Sequence, residues 1–288
     1  MTERPDPRGR PATSSATPEL TNPRAERVKA VRALSGRSAR QRAGRFLVEG
    51  PQSVREAVQY AAVRDLFVTA AADQRYGGIV QLARERGLPV HRATDEVMAA
   101  MSADAQGLLA VVDQPAADLA EVLGNGPALV AVLAAVRDPG NAGTVIRAAD
   151  AAGADAVVLT AESVDVHNPK TVRASAGSLF HLPVVTGAPL GAVIIALRAA
   201  GLLVLAADGT GEHDLDDLLD VAGRAPAGAP DLARPTAWIF GNEAWGLPPA
   251  DLELADGVVR VPIHGQAESL NLATAATVCL YASARAQR

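Results

Sequence analysis

The sequence predicts an α/β protein, and three observations support this prediction. Short apolar runs alternate along the chain with stretches that have helical periodicity or helix-favouring composition. The run Ala128–Val136 is apolar throughout, which indicates a strand buried on both faces, as in a parallel sheet. Three of the apolar runs lead into loops rich in glycine and small polar residues, and ligands bind at such strand ends in open α/β sheets. We therefore expect two α/β domains, the second with a mostly parallel sheet and a ligand site at one of its edges.

The first part of the chain predicts a tail and a small domain. Residues 1–22 are rich in proline, serine, threonine and arginine and lack apolar periodicity, so we expect a disordered tail. Over residues 23–113 we expect helices at Arg24–Leu34, Gly50–Ala62 and Gly78–Arg86 and strands at Arg45–Glu49, Val63–Thr69, Leu88–Val90 and Leu108–Val112. Residues 114–127 hold several prolines and glycines and predict a linker, with room for a short helix.

The second domain is expected over residues 128–288. The apolar runs predict strands at Ala128–Val136, Ala156–Leu159, Leu182–Val185, Leu202–Ala206, Ala237–Phe240 and Gly257–Val261. The stretches between and after them predict helices at Ala142–Ala152, Pro169–Ala176, Leu190–Ala200, Leu215–Leu219 and Leu270–Ala286. Because aromatic residues make up only 3% of the chain, we expect alanine, valine and leucine to build the core.

Composition excludes several classes of protein. A hydrophobic share of 49% with 20% charged residues is typical of a globular domain, and no apolar run is long enough for a membrane helix. The first residues lack the apolar segment of a signal peptide, so we expect a cytoplasmic protein. Cys279, the single cysteine, lies in an apolar run and is expected to be a buried small hydrophobe. The histidines have no metal-ligand spacing, and we expect no metal.

Charge is distributed unevenly although the net charge is only −5. Residues 1–60 hold 12 lysines and arginines against 6 acidic residues, whereas the rest holds 15 against 26. This asymmetry favours an N-terminal part that meets a polyanion. The alternative is a solvated arginine-rich segment without a binding role.

The first polar loop contains Asn141 and leads into a helix that contains Arg147. Asn141 suits the N-cap of that helix, which would explain it without any function. Arg147 falls in the second turn among apolar and small residues, and an isolated arginine there favours binding of a phosphate or carboxylate over simple solvation.

The second polar loop, Gly241–Gly246, places two glycines around Glu243 directly after an apolar strand. Glycine allows backbone groups to approach a ligand closely, and Glu243 supplies a fixed negative charge. The alternative is a simple turn in which Glu243 caps a helix. The loop has no Walker lysine and no GxGxxG pattern, which disfavours a phosphate cradle.

The third polar loop follows the strand that includes Val261 and continues through Ile263 to Ser269 and Asn271. Ser269 suits the N-cap of the last helix. Asn271 would then fall in the first turn, with its side chain directed toward the same crevice.

Together these segments resemble the SPOUT superfamily of RNA methyltransferases, specifically its SpoU (TrmH-like) branch. The resemblance to the three family motifs rests on the following residues: Asn141, Gly143 and Arg147; Gly241, Glu243 and Gly246; Val261–Ile263 with Ser269–Asn271 and Ala275. Arg173–Gly177 resembles a further family segment, with Ser178 where alanine is usual, and Phe46–Gly50 with Gln106-Gly107 resembles its substrate-binding module. The similarity covers residues 27–286.

The resemblance implies a trefoil-knotted C-terminal domain, a homodimer, and S-adenosylmethionine bound by Gly241, Asn242, Gly246, Val261, Ile263 and Leu270. It implies methyl transfer to a ribose 2′-hydroxyl of RNA, with Arg147 reaching across from the partner subunit. Arg147 either takes the proton or stabilises the developing alkoxide, since a guanidinium normally stays protonated. The remaining catalytic positions, which would orient the ribose and Arg147, are Asn141, Glu243, Ser269 and Asn271.

The RNA is expected to be structured and bound through Arg37, Arg40, Arg45 and Arg173. Ribosomal RNA is favoured over transfer RNA, and the nucleotide stays open. A non-catalytic knotted RNA-binding protein and a nucleotide-dependent α/β enzyme are the alternatives. The first would need a disrupted cofactor loop, and the second would need a glycine fingerprint that the sequence lacks.

Overall fold

The computed structural model describes residues 19–288, which form two α/β domains on separate sheets. Residues 1–18, most of the predicted tail, lie outside the described residues. The last part of that predicted tail is structured, because Leu20 bridges to Ala93 and its backbone N–H donates to the Arg92 carbonyl at 2.8 Å. Structure therefore begins before Pro23, where the sequence analysis placed the boundary.

The N-terminal domain contains a mixed four-stranded sheet in the order β1-β4-β2-β3. Its strands are β1 (Arg45–Glu49), β2 (Val63–Val68), β3 (Val90–Arg92) and β4 (Leu108–Asp113). Its helices are α1 (Glu26–Ala33), α2 (Arg37–Ala43), α3 (Pro51–Tyr60), α4 (Ala70–Arg75), α5 (Gly77–Glu85) and α6 (Asp95–Met101). Strand β4 is antiparallel to β1 and β2, and β3 is parallel to β2. The short helix α7 (Leu119–Gly124) occupies the predicted linker.

The C-terminal domain contains a seven-stranded parallel sheet in the order β7-β6-β5-β10-β8-β11-β9. Its strands are β5 (Leu129–Leu133), β6 (Ala156–Thr160), β7 (Val184–Ala188), β8 (Leu203–Ala207), β9 (His213–Asp214), β10 (Thr236–Phe240) and β11 (Gly257–Arg260). Its helices are α8 (Pro139–Ala152), α9 (Pro169–Ala174), α10 (Leu190–Ala199), α11 (Leu215–Asp220), α12 (Pro249–Leu252) and α13 (Leu272–Ala286). The predicted α/β class and parallel sheet are confirmed.

Strand β10 lies between β5 and β8, although it follows both in sequence. The register pairs Phe240 with Leu133 on one side and with Ala207 on the other, so the three strands end side by side. The loops that follow them therefore converge at one edge of the sheet, where open parallel sheets bind ligands.

The core of the C-terminal domain is built mainly from aliphatic residues around one buried indole. Trp238 is fully buried on β10, and its indole N–H donates to Ser283 Oγ on α13 at 2.8 Å. Helix α13 also packs along α8. Cys279 is buried on α13, and burial raises the pKa of its thiol, so its predicted role as a small core residue is confirmed.

Charged side chains join the two domains. The Arg40 side chain on α2 is only 2% exposed and donates to Asp165 Oδ2, which follows β6, at 2.6 and 3.1 Å. Arg173 on α9 pairs with the buried Glu49 of β1. His181 lies between Asp150 of α8 and Glu56 of α3, at 2.8 and 3.3 Å. These contacts fix the N-terminal sheet against the C-terminal domain.

Candidate functional site

Three loops of the C-terminal domain meet in one hydrogen-bonded cluster. The Asn141 amide donates to Glu243 Oε1 at 3.3 Å, and Asn271 Nδ2 donates to Asn141 Oδ1 at 3.1 Å. Glu243 also accepts backbone N–H bonds from Arg137 and Asp138 at 3.2 and 3.0 Å. Residues separated by more than a hundred positions are thus brought together, as the three motifs predicted.

The helix caps differ from the sequence prediction at two places. Asp138, not Asn141, is the N-cap of α8, and its carboxylate accepts the Asn141 backbone N–H at 2.8 Å. That hydrogen bond, helped by Lys170 and opposed by partial burial, lowers the pKa of Asp138. Asn271, not Ser269, is the N-cap of α13, and its side-chain oxygen accepts the backbone N–H of Ala273 in the first turn at 2.9 Å. Because Asp138 caps α8, the Asn141 amide is available to the cluster.

A cavity of about 540 Å³ lies beside this cluster, at the ends of β8, β10 and β11. The predicted residues that line it are Gly241, Asn242, Glu243, Gly246, Val261, Ile263, Ser269 and Leu270. Asn141, Asn271 and Arg147 are not among its lining residues. The structure therefore places most of the predicted cofactor residues around one opening and the two asparagines at its side.

The glycines of the second loop are required mainly for its closure. Asn242 and Gly246 exchange two backbone hydrogen bonds of 2.9 Å, and Gly246 has a φ of +67°. A Cβ on Gly241 would lie 2.5 Å from the Gly246 carbonyl oxygen and 2.7 Å from the Leu247 nitrogen. A larger side chain at Gly241 would therefore collide with the loop itself, whereas the glycine was predicted to allow close approach of a ligand.

Asn242 holds the loop to the neighbouring strand end. Its side chain is buried, donates to the Ala135 carbonyl at 2.7 Å and accepts the Ala244 N–H at 2.8 Å. Both polar ends of the amide are thus occupied within the protein. Because its amide nitrogen and oxygen already have protein partners, Asn242 is expected to hold the loop in place rather than to bind a cofactor through its side chain.

The cavity offers apolar and polar walls suited to an adenosine-type ligand. Val259, Leu272 and Ala275 add to the apolar lining, and Asp208 and Glu268 bring carboxylates to it. The guanidinium of Arg260, which also lines the cavity, donates to the Gly211 carbonyl at 3.0 Å and forms an ion pair with Asp214 at 3.1 Å. An aromatic base needs apolar walls, and ribose hydroxyls or a cationic group need acceptors such as Asp208. Asp208 was not among the residues predicted from the sequence, although it directly follows β8.

Arg147 lies apart from the cluster within one chain. It is exposed on α8, on the same face as Thr144 and Ala151, and it makes no ion pair among residues 19–288. Six residues of α-helix separate it from Asn141 by about 9 Å along the axis and roughly 120° around it. One copy of the chain therefore does not direct Arg147 at its own cluster.

The four arginines predicted to bind RNA differ in their surroundings. Arg40 is a wrong prediction, because it is buried and bonded to Asp165 and to the Leu34 and Ser35 carbonyls. Arg173 is paired with Glu49 and Asp104, and Arg45 lies 3.4 Å from Asp113. Arg37 is exposed and has no ion pair within the described part of the chain. It lines a surface depression together with Arg137.

Among residues 19–288, no group of three or more histidine, cysteine, aspartate or glutamate residues is arranged to hold a metal ion. No helix within the same range is long and apolar enough to cross a membrane.

Residues 128–281 match the SpoU rRNA Methylase family, and this match spans more than half of the chain. The chain belongs to the SpoU rRNA methylase family. Residues 25–110 match the MRM3-like substrate binding domain. The family predicted from the three motifs is thereby confirmed.

Relatives within the SpoU family are similar over most of their length. A 23S rRNA (uridine(2479)-2′-O)-methyltransferase from Streptomyces viridochromogenes is 35% identical, over 88% of this chain and 86% of the relative. A 23S rRNA (guanosine(2553)-2′-O)-methyltransferase from Bacillus subtilis is 33% identical, over 91% and 98%. The AdoMet-bound rRNA methyltransferase from Sinorhizobium meliloti superposes with a TM-score of 0.79 at 29% identity, covering 93% of this chain and 98% of that one.

Proposed function

We propose that this chain transfers a methyl group from S-adenosylmethionine to a ribose 2′-hydroxyl of 23S ribosomal RNA. The observation that carries the proposal is the joined cluster of Glu243, Asn141 and Asn271 beside the cavity. Membership of the SpoU family and similarity to two 23S rRNA 2′-O-methyltransferases support it. The solved relative from Sinorhizobium meliloti contains AdoMet.

The cavity is the proposed cofactor site. The loops after β10 and β11 supply backbone groups and the apolar walls Val261 and Leu270, while Asp208 and Glu268 supply acceptors. S-adenosylmethionine brings an already activated methyl group, so the protein's task is to align the acceptor oxygen and assist loss of its proton. Calorimetry should detect binding of S-adenosylmethionine without added metal. Gly241→Val should abolish this binding, because the added side chain would prevent the Gly241–Gly246 loop from closing.

The asparagine cluster is proposed to orient the ribose. Glu243 fixes Asn141 through one amide N–H, and Asn141 in turn fixes Asn271, so the remaining polar atoms have set directions. The 2′-hydroxyl distinguishes RNA from DNA, and hydrogen bonds to it also align its lone pair with the methyl group. As the carbon–oxygen bond forms and the carbon–sulfur bond breaks, the hydroxyl proton passes to water. The guanidinium of Arg147 stabilises the charge that develops on the oxygen.

A homodimer is proposed because Arg147 does not reach the cluster of its own chain. Val278 and Tyr281 are 40% and 49% exposed on α13, next to the exposed face of α8, and Tyr281 donates to the Ala151 carbonyl at 3.3 Å. A second copy packed on this surface would cover these apolar side chains and bring its Arg147 to the cluster. Val278→Glu should shift the mass in sedimentation toward the monomer and reduce methyl transfer.

Mixed dimers test the shared site directly. Arg147→Ala and Asn141→Ala should each be nearly inactive alone. If the site is shared, a mixture of the two variants should regain activity, because one of its two sites then contains both native residues. A mixture as inactive as the separate variants would show that Arg147 serves its own chain.

Methyl transfer to 23S rRNA, with transfer RNA as the competing substrate, tests the function itself. We expect incorporation of labelled methyl into 23S rRNA, with the methyl group on the 2′-oxygen of one nucleotide. Replacing that nucleotide by its 2′-deoxy form is the matched control and should abolish incorporation. Methylation of transfer RNA alone would overturn the assignment of substrate, and methylation of the deoxy control would overturn the assignment of the oxygen.

A further inference from the structure

The loop that carries Glu243 presents different side chains on its two sides. Its inner side, including Glu243 and Ala244, lines the cavity. Trp245, in the same loop, is 53% exposed and is not part of the cavity lining. About half of this indole is open to solvent, whereas Trp238, the other tryptophan of the chain, is fully buried in the core. Trp245 therefore presents an aromatic surface beside the cavity without forming part of its wall.

Arg137 lies against the face of this indole. Its guanidinium carbon is 5.0 Å from the centroid of the Trp245 ring, a cation–π contact. The backbone of Arg137 is fixed in turn by Glu243 Oε2 at 3.2 Å. Glu243 thus holds both Arg137 and Asn141, so the tryptophan–arginine pair has a defined position relative to the proposed ribose site.

Positive charge continues from this pair toward the N-terminal domain. Arg137 and Arg37 line one depression of about 420 Å³, and neither has an ion pair among residues 19–288. Arg40, in the same lining, is neutralised by Asp165, and the exposed Glu162 adds one negative charge, so three arginines against two carboxylates leave a net charge of +1. Exposed cations next to an exposed aromatic ring are the combination that binds unpaired nucleotides, because the cations attract phosphates while the ring stacks a base.

We propose that Trp245 and Arg137 form a stacking platform for one unpaired base of the RNA substrate at the entrance of the active site. This proposal rests on the proposed function, since it places an RNA substrate there. Stacking of the target base or its neighbour would separate that nucleotide from the RNA fold and bring its 2′-hydroxyl to Asn141 and Asn271. Trp245 is in this view a positioning residue, and it contributes to RNA binding rather than to cofactor binding.

Intrinsic fluorescence can test the platform because the two tryptophans differ in burial. Trp238 is fully buried, so of the two tryptophans Trp245 alone is open to stacking by an RNA base. An oligoadenylate of about ten nucleotides should quench the emission of the native protein. Trp245→Phe should remove this response, leaving the emission of Trp238 unchanged by RNA. Absence of quenching in the native protein at saturating RNA would overturn the proposal.

Binding and turnover give the second test. Trp245→Leu should raise the Kd for the oligonucleotide and the KM for 23S rRNA about tenfold or more, since one stacked base is lost. Trp245→Phe should restore most of the affinity, and S-adenosylmethionine binding should be native in both variants. Tyr60→Leu is the matched control, because Tyr60 is 57% exposed on α3 and has no proposed contact with RNA. An unchanged Kd and KM in Trp245→Leu would overturn the platform.

The two proposals fail in different ways. If the native protein is quenched by RNA but methylates no ribose, the proposed function is wrong, and Trp245 is then an RNA-stacking residue without a role in methyl transfer. If the native protein methylates 23S rRNA and Trp245→Leu does so with the same KM, the platform is wrong and the proposed function stands.

Discussion

At the contact between the domains, Arg40 and Arg173 are paired with Asp165 and Glu49, whereas Arg137 and Arg147 in the C-terminal domain have no ion pair among residues 19–288. Arg40 is buried and Arg173 is partly exposed, and each is paired with a carboxylate of the other domain. Arg137 is exposed in the loop before α8, and Arg147 is exposed on α8 itself.

The difference separates two uses of the same residue type. A buried guanidinium costs desolvation energy and is stable only with matched acceptors, which Arg40 finds in one carboxylate and two carbonyl groups. An exposed guanidinium without a partner retains its capacity for a phosphate or a developing oxyanion. Removing an arginine of the first kind should therefore cost stability, and removing one of the second kind should cost binding or turnover.

Arg40→Met should have the largest effect on stability. It leaves the mostly buried Asp165 and two carbonyl groups without their donor, and breaking such a pair costs about 3–5 kcal/mol. Urea denaturation should show this loss in the free energy of unfolding. Asp165→Leu added to Arg40→Met should recover part of it, because no unpaired charge remains. A native midpoint for Arg40→Met would contradict the buried role.

Arg147→Ala should reverse this pattern. Stability should change by about 0.5 kcal/mol or less, as for other exposed substitutions. Methyl transfer should fall by about 10²–10³, because the charge on the 2′-oxygen loses its partner. Cofactor affinity measured by calorimetry should stay native. Arg147→Lys distinguishes a simple positive charge, which would restore much of the rate, from a requirement for the planar guanidinium.

If Arg147→Ala turns over normally, the proposed role of Arg147 is wrong. Glu243→Gln would then be the variant to measure, since Glu243 is the ionisable member of the cluster.

The distinction between the two kinds of arginine could not be made from the sequence. The apolar runs placed the C-terminal strands and the last helix to within a few residues, because continuous hydrophobicity follows from burial on both faces. Helices α2, α4, α6 and α12 and the short strand β9 were missed, since short elements stabilised by tertiary contacts have weak periodicity of their own. Arg37 and Arg40 are three residues apart and look alike in sequence. Only the fold shows that one is exposed and the other meets Asp165.

The candidate site was predicted in outline because its position depends on the strands, which the apolar runs predict. Its residues follow strand ends, and that position is visible in the sequence. The cap exchange between Asp138 and Asn141 was missed because both residues are good N-caps and only backbone geometry selects between them. Trp245 was left without a role, although an aromatic residue in a polar loop of so aromatic-poor a chain was an available signal.

His167 should make the domain contact sensitive to acid. It packs on Phe46 of β1 at 4.5 Å between ring centroids, and burial lowers its pKa to about 4, with Asp165 opposing and Arg40 reinforcing the shift. The unfolded chain binds this proton near pH 6.5, so the unfolded state holds more protons between pH 6.5 and about 4. Stability should therefore decrease as the pH falls from 6.5 to about 4, by about 1.4 kcal/mol per pH unit at most. His167→Phe should flatten the dependence measured by urea denaturation.

His181 gives a control of opposite sign. Burial lowers its pKa, but Asp150 and Glu56 outweigh burial and the net pKa is raised. Its contribution is present below pH 6.5 and is lost as the pH rises through the raised value. His181→Asn should therefore reduce stability at pH 6 more than at pH 9. An acid profile of His167→Phe identical to that of the native protein would exclude His167 as the cause.

Arg37→Ala should have the smallest effect and completes the comparison. Arg37 is exposed and has no acid partner among residues 19–288, so its loss should leave the free energy of unfolding within about 0.5 kcal/mol of native. If it contacts a phosphate, RNA binding should weaken modestly and equally for different sequences. The negative slope of log K against log salt concentration should also become shallower by about 0.7–1. Arg37→Lys keeps the charge and should keep the slope, which separates electrostatic contact from a change in local structure. An unchanged slope in Arg37→Ala would mean that the basic excess of residues 1–60 does not reach RNA through this arginine.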